Sequence, residues 1–112
     1  MFSYQSRKIK FKAWNGQSKL LMRLDSIECK KGELNKKDHV LLQFTGLQDL
    51  QENEIYDMDV LLMSSEKYVV FWNPDYNGWF YAALKDPLVG QPFLTSIAMQ
   101  MKRLCSYFEL ET

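Results

Sequence analysis

Apolar and polar residues alternate along most of this chain, the spacing of strands rather than helices. In residues 7–14, Ile9, Phe11 and Ala13 share one face and Lys8, Lys10 and Lys12 the other. That predicts a half-buried strand ending at the turn Asn15-Gly16. Residues 19–29 carry two phases: Leu20, Met22 and Leu24 alternate, then Ile27 and Cys29, with a slip of one at Asp25-Ser26. Two strand pieces joined by a bulge fit the slip. A helix also accommodates Leu20, Leu21, Leu24 and Ile27, so the segment stays open between the two. Residues 30–39 read as a polar surface loop. Val40, Leu42 and Phe44 predict a strand ending at Thr45-Gly46, and residues 46–54 a loop with Leu47 and Leu50 turned inward.

The second half is sharper. Val60–Met63, Tyr68–Trp72 and Trp79–Leu84 predict a meander, with turns at Ser64–Lys67 and Asn73–Gly78. Pro87, Gly90 and Pro92 interrupt the sheet pattern. Leu94, Ile97, Ala98, Met101, Leu104, Cys105 and Phe108 then recur at helical spacing, which predicts a helix over about 95–107, capped by Thr95 or Ser96. With no repeat or linker visible, residues 1–112 read as a single domain.

Composition adds little to that outline until the aromatics. Fourteen Lys+Arg balance fourteen Asp+Glu, so no net field steers the protein toward nucleic acid or an acidic membrane. Aromatic residues make up 14%, which favours strands and extended contact surfaces. The N-terminal residues lack a signal pattern, and the longest apolar run, Trp79–Leu84, is six residues, too short for a membrane helix. Two cysteines, Cys29 and Cys105, are too few for a disulfide scaffold. Together these predict a cytoplasmic protein with free thiols and no membrane segment.

Catalytic signatures are sparse. Asp57 and Asp59, with Glu54 nearby, could offer oxygens to a cation, but no histidine or further ligand stands close in sequence, so a solvated turn is the expectation. His39, the one histidine, lies beside Asp38 in the basic loop, and nothing places it near either thiol. No phosphate loop, nucleophile elbow or metal-spaced cluster occurs. The expectation is a protein that is not an enzyme and needs no metal or cofactor.

Two binding surfaces remain. Tyr68, Val70 and Trp72 take one face of their strand and Val69 and Phe71 the other; Trp79, Tyr81 and Ala83 oppose Phe80, Ala82 and Leu84 in the same way. Sheets with two apolar faces need two covers. The chain itself can supply the second, through curling or the 94–108 segment, and so can another protein. The functional reading is an interaction surface centred on Tyr68, Trp72, Tyr76, Trp79 and Tyr81, for a protein partner or a second copy. The alternative is a nucleic-acid-binding module using Arg7, Lys8, Lys10 and Lys12, with exposed aromatics for base stacking. Lysines on the outer face of an edge strand, blocking stray strand pairing, are the plain explanation of that basic run.

Three blocks carry a family resemblance. Lys10-Phe11-Lys12-Ala13-Trp14-Asn15 resembles the opening of the YopX family, small proteins of bacteriophages and prophages. Leu42-Gln43-Phe44-Thr45-Gly46-Leu47-Gln48-Asp49 with Glu54-Ile55-Tyr56-Asp57-Met58-Asp59-Val60 is similar to its "MQYTGLKD…EIYEGDIV" segment. Val69–Asn73 through Tyr76–Trp79 resembles the strand pair that follows. The chain departs where the family has Asn-Gly (here Glu52-Asn53) and Gly (here Met58), which implies that position 58 needs no positive φ or that the turn is rebuilt. Arg103–Glu109 echoes the family's closing strand, so the resemblance implies a helix through about 101 followed by a strand. The fold it implies is mainly β, an SH3-like or barrel-like antiparallel sheet with a short C-terminal helix, in a phage or prophage protein of a bacterial host. It implies no activity.

Overall fold

The computed structural model describes residues 2–111. Its strands are β1 (Phe11–Asn15), β2 (Leu20–Arg23), β3 (Glu28–Lys30), β4 (Glu33–Asn35), β5 (Val40–Gln48), β6 (Glu54–Tyr56), β7 (Asp59–Met63), β8 (Glu66–Asn73), β9 (Gly78–Ala83), β10 (Gly90–Pro92) and β11 (Lys102–Ser106). One short helix, α1 (Thr95–Ala98), precedes β11, and a 3-10 turn spans Tyr107–Glu111. Every strand pair is antiparallel. The fold is therefore mainly β, a curled half-barrel with one short helix.

Two sheets do most of the work, in the orders β2-β1-β5-β6 and β10-β9-β8-β7-β11, with β3-β4 as a separate hairpin. The β6–β7 turn joins the large sheets. Where they meet, Ile55, Leu61, Val70, Phe93, Ala98 and Met101 form the core, with Tyr68, Trp79, Tyr81 and Ile97 packed around it. The meander is where the pattern put it, except that β8 begins at Glu66. Ser64 (φ 51°) and Ser65 (φ 69°) alone make the turn, in the doubly left-handed geometry suited to two-residue hairpins.

Several expectations are corrected. Strand β1 lies between β2 and β5, so its one lysine, Lys12, does not guard an edge; Lys8 and Lys10 precede the strand, and Ile9, expected inward, is exposed. β2 and β3 are not pieces of one bulged strand: they sit in different sheets. The polar run 30–39 holds β4, because Lys31 and Gly32 turn the chain back through positive φ and pair Cys29 with Leu34. The loop expected from residue 46 begins later, since β5 runs on to Gln48. Gly90–Pro92, read as a break, pairs with β9 at the sheet's outer edge, where a proline's missing N–H is tolerated.

The C-terminal segment shows tertiary structure overriding periodicity. The helix has four residues, and its N-cap is Leu94 with no side-chain cap, so neither Thr95 nor Ser96 caps it. Extended backbone resumes because β7 is buried at Asp59, Val60 and Leu61, and its free edge must find hydrogen-bond partners. β11 supplies them, with a register shift between Arg103 and Cys105 that leaves Leu104 unpaired. The strand anticipated from the resemblance is present, and it follows a helix shorter than either estimate.

Candidate functional site

The β8–β9 hairpin places the aromatic residues by simple register. Tyr68 pairs with Ala83, Val70 with Tyr81, Phe71 with Phe80 and Trp72 with Trp79. On the inner face, Tyr68 meets Tyr81 edge-on at 5.5 Å, Tyr81 meets Phe93 at 5.9 Å, and Phe93 belongs to the core. Tyr68, Trp79 and Tyr81 are therefore largely packing residues, and the C-terminal segment is their cover. Beyond that cover, Trp72 crosses Trp79 at 5.2 Å and remains 42% exposed. Tyr76, in the hairpin turn, is 73% exposed and stacks on Phe80 of the other face at 5.1 Å. Of the five predicted interaction residues, Trp72 and Tyr76 are exposed, whereas Tyr68, Trp79 and Tyr81 are half-buried.

The outer face of the same sheet is covered in part by the chain itself. Gly90 comes so close that a Cβ there would lie 3.2 Å from Phe71 Cζ and 3.4 Å from Phe80 Cδ2. Beyond it the cover stops, leaving an apolar groove of about 400 Å³ lined by Met58, Val69, Phe71, Leu84, Pro87 and Tyr107. Leu88 and Val89, in the loop that also supplies Pro87, are exposed at 94% and 62%. The sequence announced this face through Val69, Phe71 and Phe80; Met58, Pro87 and Tyr107, which join it through tertiary contacts, left no local sign.

A second hollow, polar and about 440 Å³, is lined by Lys12, Arg23, Glu54, Tyr56 and Arg103 among others. The basic residues of the nucleic-acid reading divide here. Lys10 is bound to Glu54 and lies over the Phe44 ring, and Lys12 lies over Tyr56, 4.4 Å from the ring centre. Arg7 and Lys8 are exposed before the first strand. Arg23 and Arg103, which the nucleic-acid reading did not include, complete the cationic set from other strands.

The carboxylates considered for a metal are each engaged elsewhere. Asp59, almost wholly buried, accepts from Arg103 Nε at 2.8 Å and from the Tyr56 backbone N–H at 2.8 Å. Burial pushes its carboxyl up, and the Arg103 guanidinium opposes that. Glu54 takes Lys10 and the Tyr56 hydroxyl. Asp57 is pushed up to about 6, first by burial and then by Asp59, against backbone N–H groups of Trp72 and Met58. No grouping of three or more His, Cys, Asp or Glu suited to a metal occurs among the described residues. His39 Nδ1 lies 2.7 Å from the Lys37 carbonyl; Cys29 is an exposed thiol, and burial pushes the half-buried Cys105 thiol up.

The sequence model described as YopX protein matches residues 4–89. The chain belongs to the YopX family. A solved structure of similar shape is that of protein EF1440 from Enterococcus faecalis, with TM-score 0.68, 16% identity, and coverage of 95% of this chain and 97% of that one. At that identity the likeness concerns the fold alone. No curated protein matches. No helix among the described residues is long and apolar enough to cross a membrane.

The YopX assignment makes two backbone angles informative. Met58, standing where the family has glycine, keeps the left-handed conformation, with φ 66°, and Glu52 does so at φ 65°. Of the two alternatives raised for a methionine at 58, an ordinary φ or a rebuilt turn, the first is corrected. The turn is held from outside: Met58 N–H donates to Val70 O at 2.7 Å, and its carbonyl accepts from Tyr107 N–H at 2.7 Å. Those bonds offset a left-handed cost of roughly 1–2 kcal/mol.

Proposed function

We propose that this YopX protein is a non-catalytic module that binds another protein chain, in the cytoplasm of a bacterial host, as an accessory protein of a phage or prophage. One observation carries the reading: the outer face of the β8–β9 sheet keeps an open apolar groove bounded by Phe71, Leu84 and Tyr107, with the exposed Tyr76 stacked on that face and the exposed Leu88 following Pro87 of the lining in sequence. Exposed aromatic and aliphatic groups around a groove are what a partner's side chains bury on binding. The phage setting rests on the family resemblance.

A photo-crosslinking amino acid at Tyr76 tests it in cells. The expected result is a discrete protein adduct at that position and none from the same group at Gln17, in the β1–β2 turn. Equal, diffuse labelling from both positions contradicts the proposal.

A further inference from the structure

We propose that the polar cleft between the two sheets is a binding site for the phosphate group of a small hydroxyl-bearing molecule, of the sugar-phosphate class. This goes beyond the protein-binding surface and uses a different part of the molecule.

Three cations converge on the cleft: Lys12 from β1, Arg23 from β2 and Arg103 from β11. Arg103 is matched by Asp59, whereas neither Lys12 nor Arg23 makes a salt bridge among the described residues. The strand register sets Lys12 directly opposite Arg23. Like charges at paired positions destabilise a sheet. Lys12 is also half-buried along the Tyr56 ring, and burial, then Arg103, holds its ammonium below the ordinary lysine range. This arrangement costs stability in the unliganded protein, and an entering dianion relieves it.

Two carboxylates near these cations are already engaged. Glu54 is held by Lys10 and the Tyr56 hydroxyl, and Asp59 by Arg103 and the Tyr56 N–H. Asp59, and to a smaller extent Glu109, act on Lys12 in the opposite sense, yet burial, Arg103 and Arg23 leave its pKa lowered. The planar fork of Arg23 suits phosphate oxygens, with Lys12 as a point charge opposite it, while Arg103, whose Nε and Nη2 donate to Asp59, adds only the remainder of its guanidinium. Gln48, Glu52 and Asn53 complete the lining and offer acceptors to hydroxyl groups. At about 440 Å³, the cleft lies in the size range of small-molecule pockets and well above the needs of bare phosphate.

The test is an NMR titration of the full chain with ribose 5-phosphate, orthophosphate and ribose, following the amides of Lys12, Arg23 and Arg103. Saturable shifts below ~10 mM ribose 5-phosphate are expected, with orthophosphate and ribose each weaker by at least about tenfold. Lys12→Met and Arg23→Gln should each weaken binding about tenfold, and Lys67→Gln, outside the cleft, should leave it unchanged. Without ligand, Lys12→Met should melt no lower than wild type, which a purely structural lysine would not permit. Should Lys12→Met fail to fold, the exposed Arg23→Gln carries the test alone. Shifts reproduced by sodium chloride at equal ionic strength, orthophosphate binding as tightly as ribose 5-phosphate, or a loss with Lys67→Gln equal to that with Arg23→Gln would overturn the proposal.

Discussion

Asp57 sits half-buried in the β6–β7 turn, where desolvation pushes its carboxyl up to about 6. A carboxyl raised in the folded state binds more protons there than in the unfolded chain. Its contribution to stability is therefore largest below about pH 4 and is lost as pH rises through 6. At about 1.4 kcal/mol per pH unit the shift corresponds to at most ~3 kcal/mol, and solvent screening of the exposed part of the carboxyl brings this to roughly 2 kcal/mol. Replacing the charge with a neutral amide should remove that loss: Asp57→Asn should be more stable than wild type at pH 7.5 by roughly 2 kcal/mol. Denaturant unfolding at a series of pH values checks this, and the advantage should shrink to near zero at pH 4. Met58, next door, shows the limit of residue-level reading. A methionine argues for an ordinary φ, yet the bonds to Val70 and Tyr107 hold it left-handed.

At the scale of elements, legibility followed sequence distance. The β7–β8–β9 meander was readable because its turns are local and its strands are two-sided apolar runs. The C-terminal segment was not readable by period, since Leu94 to Phe108 fits a helix and only β7's need for a partner makes β11 a strand. The same distance hid Arg103, whose Nε donates to Asp59, 44 residues earlier, and whose backbone N–H donates to Asp49 at 2.7 Å. That pair joins β11, β7 and the Tyr56 N–H of β6. Arg103→Met strands a buried carboxylate and should cost about 3–5 kcal/mol. Adding Asp59→Asn should restore much of the loss, because the charge that needed a partner is gone. A double-mutant cycle from urea unfolding measures this, and strictly additive losses would refute the coupling.

For the molecule as a whole, the two-faced aromatic pattern in the sequence posed one question, and the fold divides the answer. The inner face is closed by Phe93, α1 and Met101, so Tyr68, Trp79 and Tyr81 serve the core. The outer face is closed by Tyr76 and Gly90 only in part, and there the apolar groove remains. The candidate surface was thus half legible: Trp72 and Tyr76 are outside as expected, while the groove's floor comes from residues distant in sequence. The most direct test of the protein-binding account is tagged purification from the bacterial host after nuclease treatment, comparing wild type with Tyr76→Ser/Leu88→Ser. Both side chains are exposed, so the variant should fold. The account predicts a defined partner, or the chain itself as an oligomer by light scattering, retained by wild type after nuclease and lost by the variant. Co-purifying material that vanishes with nuclease, or that the variant retains in full, would contradict it.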